Sequence, residues 1–121
     1  IMNYNESVQQ LLKTDGALAA AVVDYSSGML LAGGGSTNID LEIAAAGNTE
    51  VLRAKMKTMQ LLDLKETIDD ILITLGEQYH LLRPLDRNDE LFLYLVLDRQ
   101  KSNLAMARHE LKGFEKGLDF A

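Results

Sequence analysis

The sequence predicts an α+β domain: a mostly antiparallel sheet with helices against both of its faces. Three observations carry that prediction. Residues 17–23, ALAAAVV, and 91–97, LFLYLVL, are apolar at every position, so strands there must be covered on both sides. Asp24-Tyr25-Ser26-Ser27-Gly28 is turn chemistry, and it joins 17–23 to a second apolar run at 29–32 as a hairpin. Helical periodicity before, between and after these runs supplies the covering layers. The order is helix, two strands, helix, three strands, helix.

Taken along the chain, Asn5 is expected to cap a short helix with Val8, Leu11 and Leu12 on one stripe, stopped by Thr14-Asp15-Gly16. The hairpin follows, its second strand ending at Gly33-Gly34-Gly35. Asp40 is a good cap for a long helix running to about Asp63. Leu41, Ala44, Ala45, Val51, Leu52, Met59 and Leu62 are expected on its apolar side, with Glu42, Glu50, Arg53 and Lys57 opposite. Gly47, inside that helix, costs roughly 1 kcal/mol against alanine. Either the helix breaks there or another backbone approaches closely.

Residues 68–75, IDDILITL, alternate as an edge strand, with Ile71, Ile73 and Leu75 on one face and Asp70, Leu72 and Thr74 on the other. The next strand is 78–85, QYHLLRPL, with Pro84 at its end or at a bulge. Asp86-Arg87-Asn88-Asp89 turns the chain into 91–97. Ser102 is expected to cap a last helix whose stripe is Leu104, Ala107, Leu111, Phe114 and Leu118.

A chain of 121 residues is most simply one domain, 1–121, with a core over about 15–118. It has no cysteine, which excludes disulfides, zinc thiolates and cysteine nucleophiles. A net charge of −6 argues against a surface built to neutralise nucleic-acid phosphates. No apolar run approaches the ~20 residues of a membrane helix, and the first residues lack the basic start of a secretion signal. The expected location is the cytoplasm.

No constellation of residues promises catalysis. Gly33-Gly34-Gly35-Ser36-Thr37 lacks the Lys-Ser/Thr of a phosphate loop, and Asp40 behind it would repel phosphate. His80 and His109 have no partners at metal-ligand spacing. Asp69-Asp70, Asp86 with Asp89, and Glu110 with Glu115 read as solvated carboxylates, and Ser26, Ser27 and Ser36 lack a nucleophile elbow. No catalytic residue, cofactor or metal is expected. Met56 and Met59, with Leu52 and Leu62, do form an adaptable apolar patch too wide for one sheet contact, which points to a partner.

Over roughly Asp15 to Leu118 the chain resembles the Roadblock/dynein light chain domain family. The resemblance rests on Ala19-Ala20-Ala21-Val22-Val23-Asp24 with Gly28, the Ala-rich second helix, and His80-Leu81-Leu82-Arg83-Pro84-Leu85. Leu95-Val96-Leu97-Asp98-Arg99 followed by Asn103-Leu104-Ala105 completes it, with Ala105 standing where many relatives have glycine. The resemblance implies a five-stranded antiparallel sheet with one long helix on one face and the N- and C-terminal helices on the other. It also implies dimers paired through the third strand and second helix, acting as regulators or scaffolds, several of them for small Ras-like GTPases.

The expected homodimer seam is therefore Leu52, Met56, Met59, Ile68, Asp70, Ile71, Leu72, Ile73 and Thr74. Glu50, Arg53 and Lys57 are expected to face a small GTPase, so that Arg53→Glu alters binding and not stability. Arg53, Arg83, Arg87, Arg99 and Arg108 are available as arginine fingers, and the sequence singles out none. Any stimulation of GTP hydrolysis is expected to work by ordering the GTPase's own loops. The alternative function is a small-molecule sensor with a pocket between sheet and helix.

Overall fold

Asn3 starts the first element. Its Oδ1 accepts from the Glu6 amide at 2.8 Å, so helix α1 runs over Tyr4–Leu11 and the cap is Asn3, two residues ahead of the expected Asn5. The computed structural model describes residues 2–36, 38–86, 88 and 90–117. Thr37, Arg87, Asp89 and Leu118, each placed in the sequence reading, lie outside the described residues.

Strands β1 (Ala17–Asp24) and β2 (Met29–Gly35), helix α2 (Leu41–Leu61), strands β3 (Ile71–Thr74), β4 (Gln78–Pro84) and β5 (Leu91–Asp98), and helix α3 (Leu104–Gly117) follow. The sheet order is β2-β1-β5-β4-β3, antiparallel at every pairing. The two all-apolar segments, β1 and β5, sit inside the sheet as their composition requires. Along β5 the faces alternate. Leu91, Leu93, Leu95 and Leu97 meet Val8 and Leu11 of α1 and Ala107 and Leu111 of α3. Phe92, Tyr94 and Val96 meet Ala45 and Leu52 of α2.

Strand β2 is longer than the sequence suggests, because the three glycines belong to it. Gly33, Gly34 and Gly35 pair with Ala21, Ala20 and Ala19. A Cβ on Gly33 would lie 2.8 Å from Leu41 Cδ1 of α2, and one on Gly34 would lie 3.3 Å from Leu12 Cδ1 behind α1. Gly33 and Gly34 are there because helices press on the strand from both sides, whereas Gly35, at φ 147°, lies against the β1 backbone, so low strand propensity is overridden at all three.

Strand β3 is shorter than expected. Residues 68–70 make no ladder: Arg83 takes the Asp69 carbonyl at 3.2 Å, and Arg108 holds the Asp70 side chain at 2.9 and 3.2 Å. Helix α2 ends in a paired turn, the Leu64 amide reaching Met59 O and the Asp63 amide reaching Gln60 O, with Asp63 at φ 55°. Asn103, not Ser102, caps α3: its Oδ1 accepts from the Met106 amide at 3.0 Å.

Leu95 is fully buried in the centre of β5. Leu95→Ala is expected to cost about 2–5 kcal/mol, the range for a large-to-small change at a closed site. Urea melts of the variant check it; a midpoint equal to the parent's would displace β5 from the middle of the core.

Candidate interaction surface

Helix α2 has two apolar faces. Ala45, Thr49 and Leu52 are buried against the sheet. At 100° per residue, Ile43, Gly47, Val51, Ala54, Thr58 and Leu61 fall within an arc of about 80° on the other side. That arc is in solvent: Ile43 is 71% exposed and Leu61 79%, with Val51 and Leu62 exposed as well. Val51 and Leu62 thus point away from the sheet, contrary to the single stripe expected. Gly47 neither breaks the helix nor meets a backbone, since a Cβ there would find nothing within 4 Å.

Strand β3 is the second unfinished element. Its one neighbour is β4, so its outer main-chain groups face solvent. Ile71, Leu72 and Ile73 are partly buried and Thr74 is exposed. Asp70, held by Arg108, and Ile68 precede it. Of the expected seam residues, Leu52 is corrected: it has no exposed surface and belongs to the protomer's own core. Met56 and Met59 are corrected too: they are partly buried and line a groove on the side of α2 away from the solvent stripe, outside the helix seam.

Arg53 is not a loose surface cation. It donates to the Ser26 carbonyl at 2.7 Å, the Tyr25 carbonyl at 3.2 Å and Glu50 Oε1 at 2.6 Å, with its guanidinium 5.7 Å from the Tyr25 ring centre. The Tyr25 hydroxyl in turn donates to Met56 Sδ at 3.2 Å. Arg53 therefore clamps the β1–β2 turn to α2, and the expectation that its reversal leaves stability untouched is corrected. Glu50 and Lys57 are exposed.

The other described arginines named as finger candidates are committed too. Arg83 is buried with Glu115 at 3.4 Å and Asp86 at 3.5 Å. Arg99 donates to the Leu75 carbonyl at 2.7 Å and lies over the Tyr79 ring, holding the β3–β4 turn. Arg108 is taken by Asp70. Their spacing carries no trace of this, because every acceptor except Asp86 lies 14 or more residues away in sequence.

His80 belongs to a short polar chain beneath α2. Its Nδ1 lies 2.9 Å from the Tyr94 hydroxyl and its Nε2 lies 2.9 Å from Gln78 Oε1. Asn48 of α2 bonds the same hydroxyl. Hydrogen-bond logic assigns the protons: Asn48 donates to Tyr94, Tyr94 donates to Nδ1, and Nε2–H donates to Gln78. Burial holds the imidazole below its ordinary 6.5 and pushes the phenol above the usual tyrosine range, which the Asn48 bond partly offsets.

A groove of about 520 Å³ opens beside the C-terminal end of α2. Met56, Met59, Leu64, Ile68, Pro84 and Leu85 make its apolar wall, with Glu66 and Asp86 among its polar lining. Among the described residues no group of three or more His, Asp or Glu is placed to hold a metal ion. No described helix is long and apolar enough to cross a membrane.

No family model matches the sequence, and no curated protein matches it. Solved structures do. The Roadblock/LC7 domain from Streptomyces avermitilis superposes with a TM-score of 0.82 at 10% identity, over 96% of this chain and 94% of that one. MglB from Myxococcus xanthus gives 0.73 at 18% identity, over 95% and 96%. MglC from the same organism gives 0.62 at 18% identity, over 96% of each chain. At such identities the likeness is one of fold: the chain has the Roadblock/LC7 fold.

Two predictions follow from the side-chain geometry. Arg53→Ala should lower stability by about 1 kcal/mol through its lost carbonyl contacts at a part-exposed site, whereas Lys57→Ala should leave the urea midpoint unchanged; equal effects would contradict the clamp. His80 has a folded-state pKa below its unfolded 6.5, so the unfolded chain takes up the proton first as pH falls. Its contribution is complete above about pH 6.5 and is lost as pH drops through that value. Urea midpoints at about pH 7.5, 6.5 and 5.5 should decline, and His80→Gln should flatten the decline; an identical slope in the variant would place its origin elsewhere.

Proposed function

We propose, on the premise of the Roadblock/LC7 fold, that the chain is a non-enzymatic homodimeric regulator or scaffold of the cytoplasm. It binds a small Ras-like GTPase and modulates that protein's nucleotide cycle. The observation that carries the proposal is the pair of unfinished elements, an apolar stripe of α2 in solvent and an open β3 edge. Pairing two β3 edges about a two-fold axis satisfies their outer amides and carbonyls and joins two sheets into one. Ile68 and Asp70 then flank the seam formed by Ile71, Leu72, Ile73 and Thr74.

The same two-fold brings the second helices together. Gly47, with Ile43 and Val51 four residues to either side, offers a shallow notch between apolar ridges, the relief into which a second helix packs. That supplies a reason for a glycine that α2 would otherwise be better without.

The GTPase comes from the resemblance, which implies such partners for this family. The committed arginines support a mode in which the partner's own loops carry the chemistry, because extending Arg53, Arg83, Arg99 or Arg108 would first break contacts that hold turns or helices. Exposed Glu50 and Lys57, beside the apolar stripe, are placed to steer the encounter and select the partner.

Sedimentation at about 50 µM should show a dimer, a concentration at which interfaces of standard size hold. The double variant Ile43→Asp with Val51→Asp should be monomeric yet fold, since both side chains are exposed. The dimer, immobilised, should retain a small GTPase from an extract of its own cells in one nucleotide state, and the double variant should lose it. A monomeric parent would overturn the assembly, and a dimer that retains no GTPase in either nucleotide state would overturn the partner.

A further inference from the structure

The groove beside the C-terminal end of α2 lies on the helix face opposite the solvent stripe, so pairing of the stripes does not fill it. At about 520 Å³ it is within the range of sites that bind ligands. Its wall is adaptable: Met56 and Met59 come from α2, Leu64 from the turn that ends it, and Pro84 and Leu85 from the end of β4. Two further features describe what belongs there.

The first is charge. Among the described residues the lining carries two carboxylates, Glu66 and Asp86, and no cation. Asp86 shares the buried Arg83 at 3.5 Å, while Glu66 has no ion pair among the described residues. The second is backbone. Residues 65–68 form the outer bank of the groove without helix or ladder, and no hydrogen bond among the described residues engages their main-chain amides or carbonyls. An apolar trough beside exposed main chain that makes no internal hydrogen bond is a place for an extended peptide, its own amides pairing with the bank and alternate side chains entering the trough.

We propose that this groove binds an extended segment of a partner polypeptide in which apolar residues alternate with lysine or arginine. Apolar side chains lie against Met56, Met59 and Pro84, main-chain bonds run to 65–68, and a basic side chain meets Glu66. A small amphiphilic amine would satisfy the charge and the trough but leave the bank untouched, so the main chain favours the peptide. The wall of Met56, Met59, Pro84 and Leu85 lies away from the paired stripes, while Ile68, at the end of the bank, also flanks the β3 seam.

The test uses the intact protein with methyl-labelled methionine and a ten-residue synthetic peptide alternating leucine and lysine. Of the five methionines, Met56 and Met59 should shift saturably in the NMR spectrum while Met2, Met29 and Met106 stay in place. Glu66→Lys, a change at an exposed side chain, should weaken binding about fivefold, the scale of one surface charge pair. Methylating alternate peptide amides should weaken it about tenfold, the scale of lost main-chain bonds. A serine–lysine peptide that binds equally well would reduce the effect to charge alone. Octylamine matching the peptide in affinity at the same two methyls would make this a small-molecule site. Shifts centred on Met29 or Met106, or an N-methylated peptide that binds as tightly, would likewise overturn the proposal.

Discussion

The architecture depends on the near-absence of side-chain bulk where β1 meets β2. Ala19, Ala20 and Ala21 pair with Gly35, Gly34 and Gly33, so three consecutive ladder pairs carry three methyl groups between them. That lets α1 settle on one side and α2 on the other at distances a larger residue would forbid, with Leu41 and Leu12 filling the space above the glycines. The bulk is supplied by the next strand instead. Across β1, the partners of these alanines on β5 are Val96, Leu95 and Tyr94. Small and large residues thus alternate from strand to strand, and the core residues of both faces are buried.

A consequence follows for assembly. Because the small strands draw α2 over the β1–β2 side, β3 at the far edge is covered only in part and its outer edge is unpaired. The polar chain of Gln78, His80, Tyr94 and Asn48 bridges part of that gap, tying β4 and β5 to the helix through fully paired groups. Among the described residues no strand of the protomer pairs with the outer edge of β3. Its outer strand and the far side of its long helix are finished in every local respect, with caps, register and a closed C-terminal turn, yet they remain apolar or unpaired. Local order joined to missing burial is the mark of a surface that another chain completes.

The sequence made the sheet legible because periodicity reports burial directly. Two strands without a polar residue had to be central, and the alternation of β5 assigned its leucines and aromatics to opposite layers correctly. The same rule misled along α2. Helical spacing groups these apolar residues into one stripe, although Leu52 and Val51 differ by 100° and face opposite environments. Gly33–Gly35 reads as a strand end because propensity describes one strand alone, whereas helix pressure on Gly33 and Gly34 and the β1 backbone beside Gly35 decide these positions. The arginine clamps had no local signal at all. Arg53 reaches carbonyls 27 and 28 residues away, and carbonyls have no sequence signature.

The central claim is that a second copy of the chain completes the β3 edge. Hydrogen exchange at the outward-pointing amides of Ile71–Thr74, followed at about 100 µM and again at about 1 µM, tests it most directly, since protection there then reports pairing between chains. The account predicts slow exchange at the higher concentration and release on dilution, while the amides of β1 and β5 exchange slowly at both. Rapid exchange at β3 regardless of concentration, with the rest of the sheet protected, would contradict it.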